Sequence, residues 1–382
     1  MTNKIVCISY YDSPKTGAHF RFDRLVTYLA NQGQLVLWIS PARDEFTNYE
    51  NIEFFQWNQK ISASFAWLDM VFLVFKYLLS LIKYRKSVQY IITFGETNLL
   101  AAFIVSLVLE APLSIGVRSN IIKRRDITLN DKKLIKKIFL RAKLKLQVKL
   151  WQLIYYYANQ IVVQTPQAKL DFLNHFKVNS NKVFIIENDL PPTLKKRDSY
   201  SSLYKSSSQP RKFLFVGNSS KIKGLDILIE AIPEIQRNSP FFEQITIVGV
   251  EHKTATSLIN KIKLNQIRIE FVSWCSDIYS LMKEHDLLIV PSREDQFPNV
   301  ILEALAVGLP VIGSAVDGIK HILSSHSVLF PPGDSVALAN CVCRISQPEE
   351  YAKAKEIARE RANYFDFNWE EYYIKILEKT KS

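Results

Sequence analysis

The sequence predicts an α/β protein of two domains, each built on a parallel β-sheet, and three observations carry that expectation. At 382 residues the chain exceeds the usual size of one domain, and an apolar content of 48% is enough for two cores. Short β-branched runs alternate with longer helical patterns, the rhythm of βαβ units, whose ligands lie at the carboxyl ends of the strands. Near the middle, residues 191–211 (PPTLKKRDSYSSLYKSSSQPR) are rich in Ser, Lys and Pro and read as a linker.

The elements follow in order. The opening "KIVCISYYDSP" is an apolar run ending in turn residues, which reads as a first strand at 4–9 rather than as a signal peptide. Further strands are expected at 35–39, 89–93, 112–117, 160–164 and 182–187, and after the linker at 212–217, 244–249, 267–272, 286–290 and 309–313. Helices fill most of the intervals. Residues 62–82 (SASFAWLDMVFLVFKYLLSLI) have the length of a membrane span, but Asp69 and Lys76 interrupt them, so a buried or membrane-surface helix is expected.

The four cysteines, Cys7, Cys275, Cys341 and Cys343, show no metal-ligand spacing and read as buried thiols in a reducing compartment, the cytoplasm. The formal net charge of +12 is concentrated in residues 121–149, which hold eleven Lys or Arg against Asp126 and Asp131. Apolar residues such as Leu134, Ile138 and Leu146 interleave with these cations, giving a basic amphipathic helix suited to an anionic membrane surface. The aromatics Trp151, Tyr155, Tyr156 and Tyr157 bunch beyond its end instead of interleaving with it, which argues against nucleic acid as the partner.

The most informative stretch is "SREDQFPNVILEALAVGLPVIGSAVDG", residues 292–318. The strand "DLLIV" ends at Pro291, a loop follows, and Pro298 fits the first turn of a helix, where its missing N–H costs nothing. The free N–H groups near Asn299 and Val300 then make an anion site suited to a phosphate. Glu303, just over one turn further in, can reach neutral polar groups such as ribose hydroxyls, while Asp295 stays on the loop beside whatever the phosphate carries. An acid, a phosphate cradle and a second acid along one ligand match the layout of a nucleotide sugar.

The segment "PSREDQFPNVILEALAVGLPVIGSAVDGIKHIL" closely resembles the acid-x7-acid signature of glycosyltransferase family 4, retaining enzymes of the GT-B fold. Residues 213–232 (FLFVGNSSKIKGLDILIEAI) are similar to the family's glycine-to-Lys-Gly phosphate loop, and 157–189 to the close of its first domain. The opening glycine loop matches at Gly17 alone. The resemblance implies two Rossmann-like parallel-sheet domains facing a cleft. It implies an acceptor domain at 1–190, the linker at 191–211, a nucleotide-sugar domain at 212–364, and a C-terminal helix at 365–382 crossing back to the first domain.

It further implies that Glu303 holds the donor ribose, Asp295 the donor sugar, the Asn299 and Val300 amides the diphosphate, and that Lys223 neutralises the leaving diphosphate without a metal or cofactor. Gly217, Asn218, Lys221, Glu294 and Phe297 complete the donor side. Two departures stand out: the first acid is Asp295, with Glu294 before it, and Asn218 occupies the place of the family's phosphate-loop Arg, a forked cation for which Lys221 is an imperfect replacement. Where the family often has His-Gly, this chain has Arg118-Ser119-Asn120, so Arg118 becomes the candidate for contacting donor phosphate or acceptor, with Gly17 and His19 on the acceptor side. The expected function is transfer of a sugar from a nucleotide diphosphate to a glycan or lipid-linked acceptor, in cell-surface polysaccharide synthesis at the inner face of the membrane. The alternative is a non-catalytic or weakly active relative that binds nucleotide sugars, or an epimerase or phosphorylase on the same fold.

Overall fold

The computed structural model describes residues 4–9, 17–41, 50–57, 66–129, 134–194, 208–251, 253, 254, 257 and 267–379. From the N-terminus the chain forms β1 (Lys4–Ile8), α1 (Gly17–Asn31), β2 (Leu35–Pro41), β3 (Ile52–Trp57), α2 (Ala66–Ile82), β4 (Val88–Phe94), α3 (Leu99–Leu109), β5 (Leu113–Gly116), α4 (Ile121–Leu129), α5 (Leu134–Tyr157), β6 (Gln160–Val163), α6 (Pro166–His175) and β7 (Val183–Ile185). Then come β8 (Lys212–Val216), α7 (Leu225–Asn238), β9 (Gln244–Val248), β10 (Arg268–Val272), α8 (Ile278–Glu284), β11 (Leu287–Val290), α9 (Asn299–Ala306), β12 (Val311–Ser314), α10 (Asp317–Leu323), β13 (Leu329–Phe330), α11 (Ser335–Ile345), α12 (Pro348–Tyr364) and α13 (Trp369–Glu378).

The chain divides into two compact units. The first comprises Met1–Asn120, Lys133–Glu187 and Asn368–Ser382; the second comprises Ile121–Lys132 and Asn188–Phe367. Each expected strand has a counterpart. Two further ones, β3 and β13, were not anticipated: Phe54 and Phe55 break the alternation of the first, and the second is two residues long.

All strand pairs in the first sheet are parallel, in the order β3-β2-β1-β4-β5-β6-β7. Val6, Ile8, Leu37, Trp38, Ile91 and Ile92 are fully buried along its central strands, as continuous apolar runs covered on both faces should be. The C-terminal helix α13 packs into this unit. Trp369 lies edge-on to Phe94 with ring centroids 6.1 Å apart, Tyr373 Oη shares a hydrogen bond with Ser114 Oγ at 3.0 Å, and Arg24 pairs with Glu370 at 2.7 Å.

The second sheet, also parallel throughout, runs β10-β9-β8-β11-β12-β13. Chain order reverses between β8 and β11, which pair at Phe213 with Leu287 and Leu214 with Leu288. Loops leaving the carboxyl ends of such neighbours diverge to opposite faces and leave a crevice, where open α/β sheets bind ligands. The crevice of this unit is therefore bounded by the segments after β8 and after β11.

The described residues of the 121–149 segment are helical, in α4 and the first part of α5. Its first part, α4, clusters with the second unit although the expected boundary placed it in the first: it lies against the Lys221–Lys223 turn, with Lys123 3.5 Å from Asp317 and Arg124 3.6 Å from Glu294. Residues 130–133 lie outside the described residues, as do 10–16 of the expected N-terminal glycine loop and 195–207 of the linker. Helix α2 occupies 66–82 of the apolar stretch, and among the described residues no helix is long and apolar enough to cross a membrane.

Candidate functional site

Two segments of the second unit build the site. After β8 the chain passes Gly217 and Asn218, makes a tight 3-10 turn at Lys221–Lys223, and enters α7 through Gly224. Asn218 does not stand in for the missing guanidinium: its Oδ1 accepts a hydrogen bond from the backbone N–H of Ser220 at 3.1 Å, as short polar side chains do at turns. Gly224 has φ +71°, and a Cβ there would land on the carbonyl oxygen of Pro291, so only glycine lets the turn sit directly on the loop after β11.

That loop is gripped from three sides. The Arg293 guanidinium donates to both carboxylate oxygens of Asp226 at 2.7 Å and to the Lys221 carbonyl at 2.8 Å, and the Arg293 N–H donates to the Ile222 carbonyl at 2.7 Å. Below, the Ser314 hydroxyl donates to the Ser292 carbonyl. On the far side Gly318 lies so close that a Cβ would strike the carbonyls of Asp295 and Gln296. Bidentate Arg–carboxylate pairing fixes geometry as well as adding energy.

The outcome brings two of the expected site residues into direct contact: Lys223 Nζ donates to Asp295 Oδ2 at 2.7 Å. The two residues expected to serve leaving group and sugar are thus neighbours. Beside them α9 begins at Asn299. Pro298 is its N-cap, with ψ 112°, and not a residue of its first turn, a shift of one position that leaves the Asn299 and Val300 amides at the helix start. The Asn299 Oδ1 accepts from Asn188 Nδ2 at 2.9 Å, which orients this first residue. Glu303 sits half-buried in the second turn of α9.

Glu294 and Phe297, expected on the donor side, are both buried. Phe297 is buried against Phe365, with ring centroids 5.8 Å apart at 88°, and against His321 at 6.1 Å, so it anchors the loop to the core. An aromatic side chain gains more there than beside a polar ligand. Glu294 is 5% exposed, and burial pushes its carboxyl up to about 7, with Asp295 adding to the rise and Arg124, Lys123 and Lys223 offsetting part of it. The Gln296 Oε1 is buried without a hydrogen-bond partner, an orphaned acceptor on the same loop.

The candidates of the first unit occupy a different setting. Gly17 and His19 lie in the first turn of α1. Arg118 follows β5, and its guanidinium carbon lies 4.4 Å from the ring centroid of Phe94 and 5.1 Å from that of Trp369, a cation–π sandwich that holds the side chain between β4 and α13. Sequence reasoning missed Arg293, Asp226, Lys123 and Arg124, because each acquires its partner only through the topology of the sheet.

Two parallel-sheet units of this kind define the GT-B class, and solved structures agree. The fold matches that of Anabaena HepE in complex with UDP-glucose, with a TM-score of 0.71 at 19% identity over 99% of this chain and 98% of that one. Residues 210–347 match the family model for glycosyl transferases group 1. That match lies within the second unit. Among curated relatives it is 24% identical over 210 residues to the lipopolysaccharide glucosyltransferase WaaG of Escherichia coli K12, covering 53% of this chain and 52% of that protein. It is 28% identical over 241 residues to the amylovoran biosynthesis glycosyltransferase AmsK of Erwinia amylovora, covering 60% and 53%. The chain thus spans about half the length of the curated relatives it matches.

Proposed function

We propose that this protein is a retaining, metal-independent glycosyltransferase that transfers a hexose from a nucleotide-diphosphate sugar to a glycan or lipid-linked acceptor in cell-surface polysaccharide synthesis. The observation that carries the reading is the Lys223–Asp295 contact at the sheet's switch point, beside the start of α9. It joins a cation for a leaving diphosphate to an acid for the sugar, next to backbone N–H groups that favour phosphate. The UDP-glucose held by HepE and the polysaccharide roles in the names of WaaG and AmsK support the same chemistry.

In this reading Glu303 binds the ribose and the Asn299 and Val300 amides bind the diphosphate. When the sugar–phosphate bond breaks, negative charge grows on the leaving diphosphate. Lys223 and the helix end stabilise it, while Asp295 holds the sugar in the orientation for attack. Gly17 and His19 of the first unit are assigned to the acceptor, and Arg118 to donor phosphate or acceptor. The enzyme works in the cytoplasm, peripheral on the inner face of the membrane. The exposed apolar and basic residues of α5, Ile138, Leu146, Arg141, Lys145 and Lys149, favour such a surface.

The turn of Asn218 toward its own backbone favours a second reading, a relative that binds nucleotide sugars without transferring them. A panel of labelled nucleotide sugars, offered with membrane-lipid and glycan acceptors in excess chelator, separates the two. Transfer with retained anomeric configuration at a rate the chelator leaves nearly intact is the expected result. Binding without transfer establishes the second reading, and dependence on Mg²⁺ or Mn²⁺ overturns the role given to Lys223.

A further inference from the structure

Helix α4 carries cations that neither the phosphate loop nor the acid pair accounts for. It lies against the Lys221–Lys223 turn, and it brings Lys123 to Asp317, the first residue of α10, and Arg124 to Glu294 on the loop after β11. Both pairs are loose. At 3.5 and 3.6 Å they exceed the 2.7–2.9 Å of a charge-assisted hydrogen bond, whereas Lys223 to Asp295 is 2.7 Å. The Lys123 and Arg124 side chains remain 47% and 43% exposed, so they keep the reach to turn toward a ligand.

The charge balance of the mouth shows why they matter. Arg293 is committed to Asp226 by two hydrogen bonds, and Lys223 faces Asp295, while the carboxylates of Asp295, Glu294 and Asp317 stand beside the same turn and loop. Asn218 contributes no charge. Two more cations, held beside the turn by acids that an anion can displace, redress that balance.

We propose that Lys123 and Arg124 of α4 are diphosphate-binding residues, parked on Asp317 and Glu294 when the site is empty and transferred to the phosphates when a nucleoside diphosphate binds. The forked guanidinium that the phosphate loop lacks at Asn218 is thereby supplied from α4. This rests on the donor-site reading above. Because both cations touch the ligand, they set affinity for its charged part and leave recognition of the base and ribose to other groups.

The test is calorimetry of the full-length chain with UDP, GDP and ADP, with the matching nucleosides, and with Lys123→Gln, Arg124→Gln, the double variant and the charge-conserving Arg124→Lys. The expected result is about a tenfold loss of nucleoside diphosphate affinity for each neutral substitution, a shallower dependence of affinity on salt, and unchanged nucleoside binding. Arg124→Lys should recover part of the loss, which a variant that merely unpacked α4 would not show. If wild-type protein binds a nucleoside diphosphate and the double variant binds it equally well, or if nucleoside affinity falls in step, the proposal is wrong and the donor site stands. If wild-type protein binds none of the three diphosphates, the donor-site reading fails and takes this one with it.

Discussion

At the scale of single residues, Glu294 concentrates the electrostatics of the site. Burial raises its carboxyl from the ordinary 4.5 to about 7, so between these values the native state holds a proton that the unfolded chain has released. Stability therefore falls as pH rises through that window and levels off above it. Glu294→Gln removes the titration while keeping the shape. The variant should match wild type near pH 5 and gain on it by roughly 1–3 kcal/mol at pH 8, read from thermal unfolding at the two values. A difference between the proteins that does not change with pH would show that Glu294 is not a buried acid poised near neutrality. The neighbouring Asp295 and Lys223 were legible in the sequence as separate candidates, because the first belongs to a local acid-Pro-acid spacing and the second to a glycine-bounded loop. Their contact was not, since it spans 72 positions, and neither was the Arg293–Asp226 clamp across 67. Phe297 stood on the donor side through the family resemblance, and its packing against Phe365 could not be read from the sequence.

At the scale of elements, the site is held by the backbone contact between two turns. Gly33 and Gly224 share nearly the same backbone angle, φ +74° and +71°, but a Cβ on Gly33 would meet open space and a Cβ on Gly224 would meet the Pro291 carbonyl. Gly33→Ala should thus cost only the left-handed strain, about 1 kcal/mol, while Gly224→Ala should cost roughly 3 kcal/mol or more and disturb the loop that carries Asp295. Urea unfolding of both variants measures the contrast, and equal losses would mean that the turn and the loop are not in contact as described. Helix α5 invites a different experiment. Its exposed Arg141, Lys145 and Lys149 flank exposed Leu146 and Leu150. Replacing the three cations by Gln should weaken binding to anionic vesicles by about 1 kcal/mol per charge, and unchanged sedimentation would remove α5 from any membrane-facing surface. The helix rhythm was readable from periodicity. The clustering of α4 with the second unit was not, because uniform basic character hides which cations have acidic partners.

At the scale of the whole molecule, the two units repeat one plan, a parallel sheet whose strand order reverses beside its first strand. That plan was legible because fully buried parallel strands leave continuous apolar runs in the sequence, and eleven of them stood out. The edge strands β3 and β13 were missed where the run is broken or very short. The return of the last helix to the first unit came from family resemblance alone. In the structure it is tied by Trp369, Glu370 and Tyr373, residues whose spacing says nothing of their partners. The same sheet plan gives the central claim of function, because the reversal brings the loops of β8 and β11 together and with them Lys223, Asp295 and the start of α9.

Calorimetry with nucleoside diphosphate on Lys223→Gln, Asp295→Asn and Glu303→Gln tests that claim most directly, with initial transfer rates measured beside it. Lys223 and Glu303 touch the diphosphate and the ribose in this account, so their variants should lose roughly tenfold or more in affinity. Asp295 touches only the sugar and restrains Lys223, so Asp295→Asn should bind the bare diphosphate at least as well as wild type while its turnover falls steeply. If Asp295→Asn instead lost the nucleotide while Lys223→Gln and Glu303→Gln kept it, the assignment of phosphate, ribose and sugar along the switch-point crevice would be contradicted.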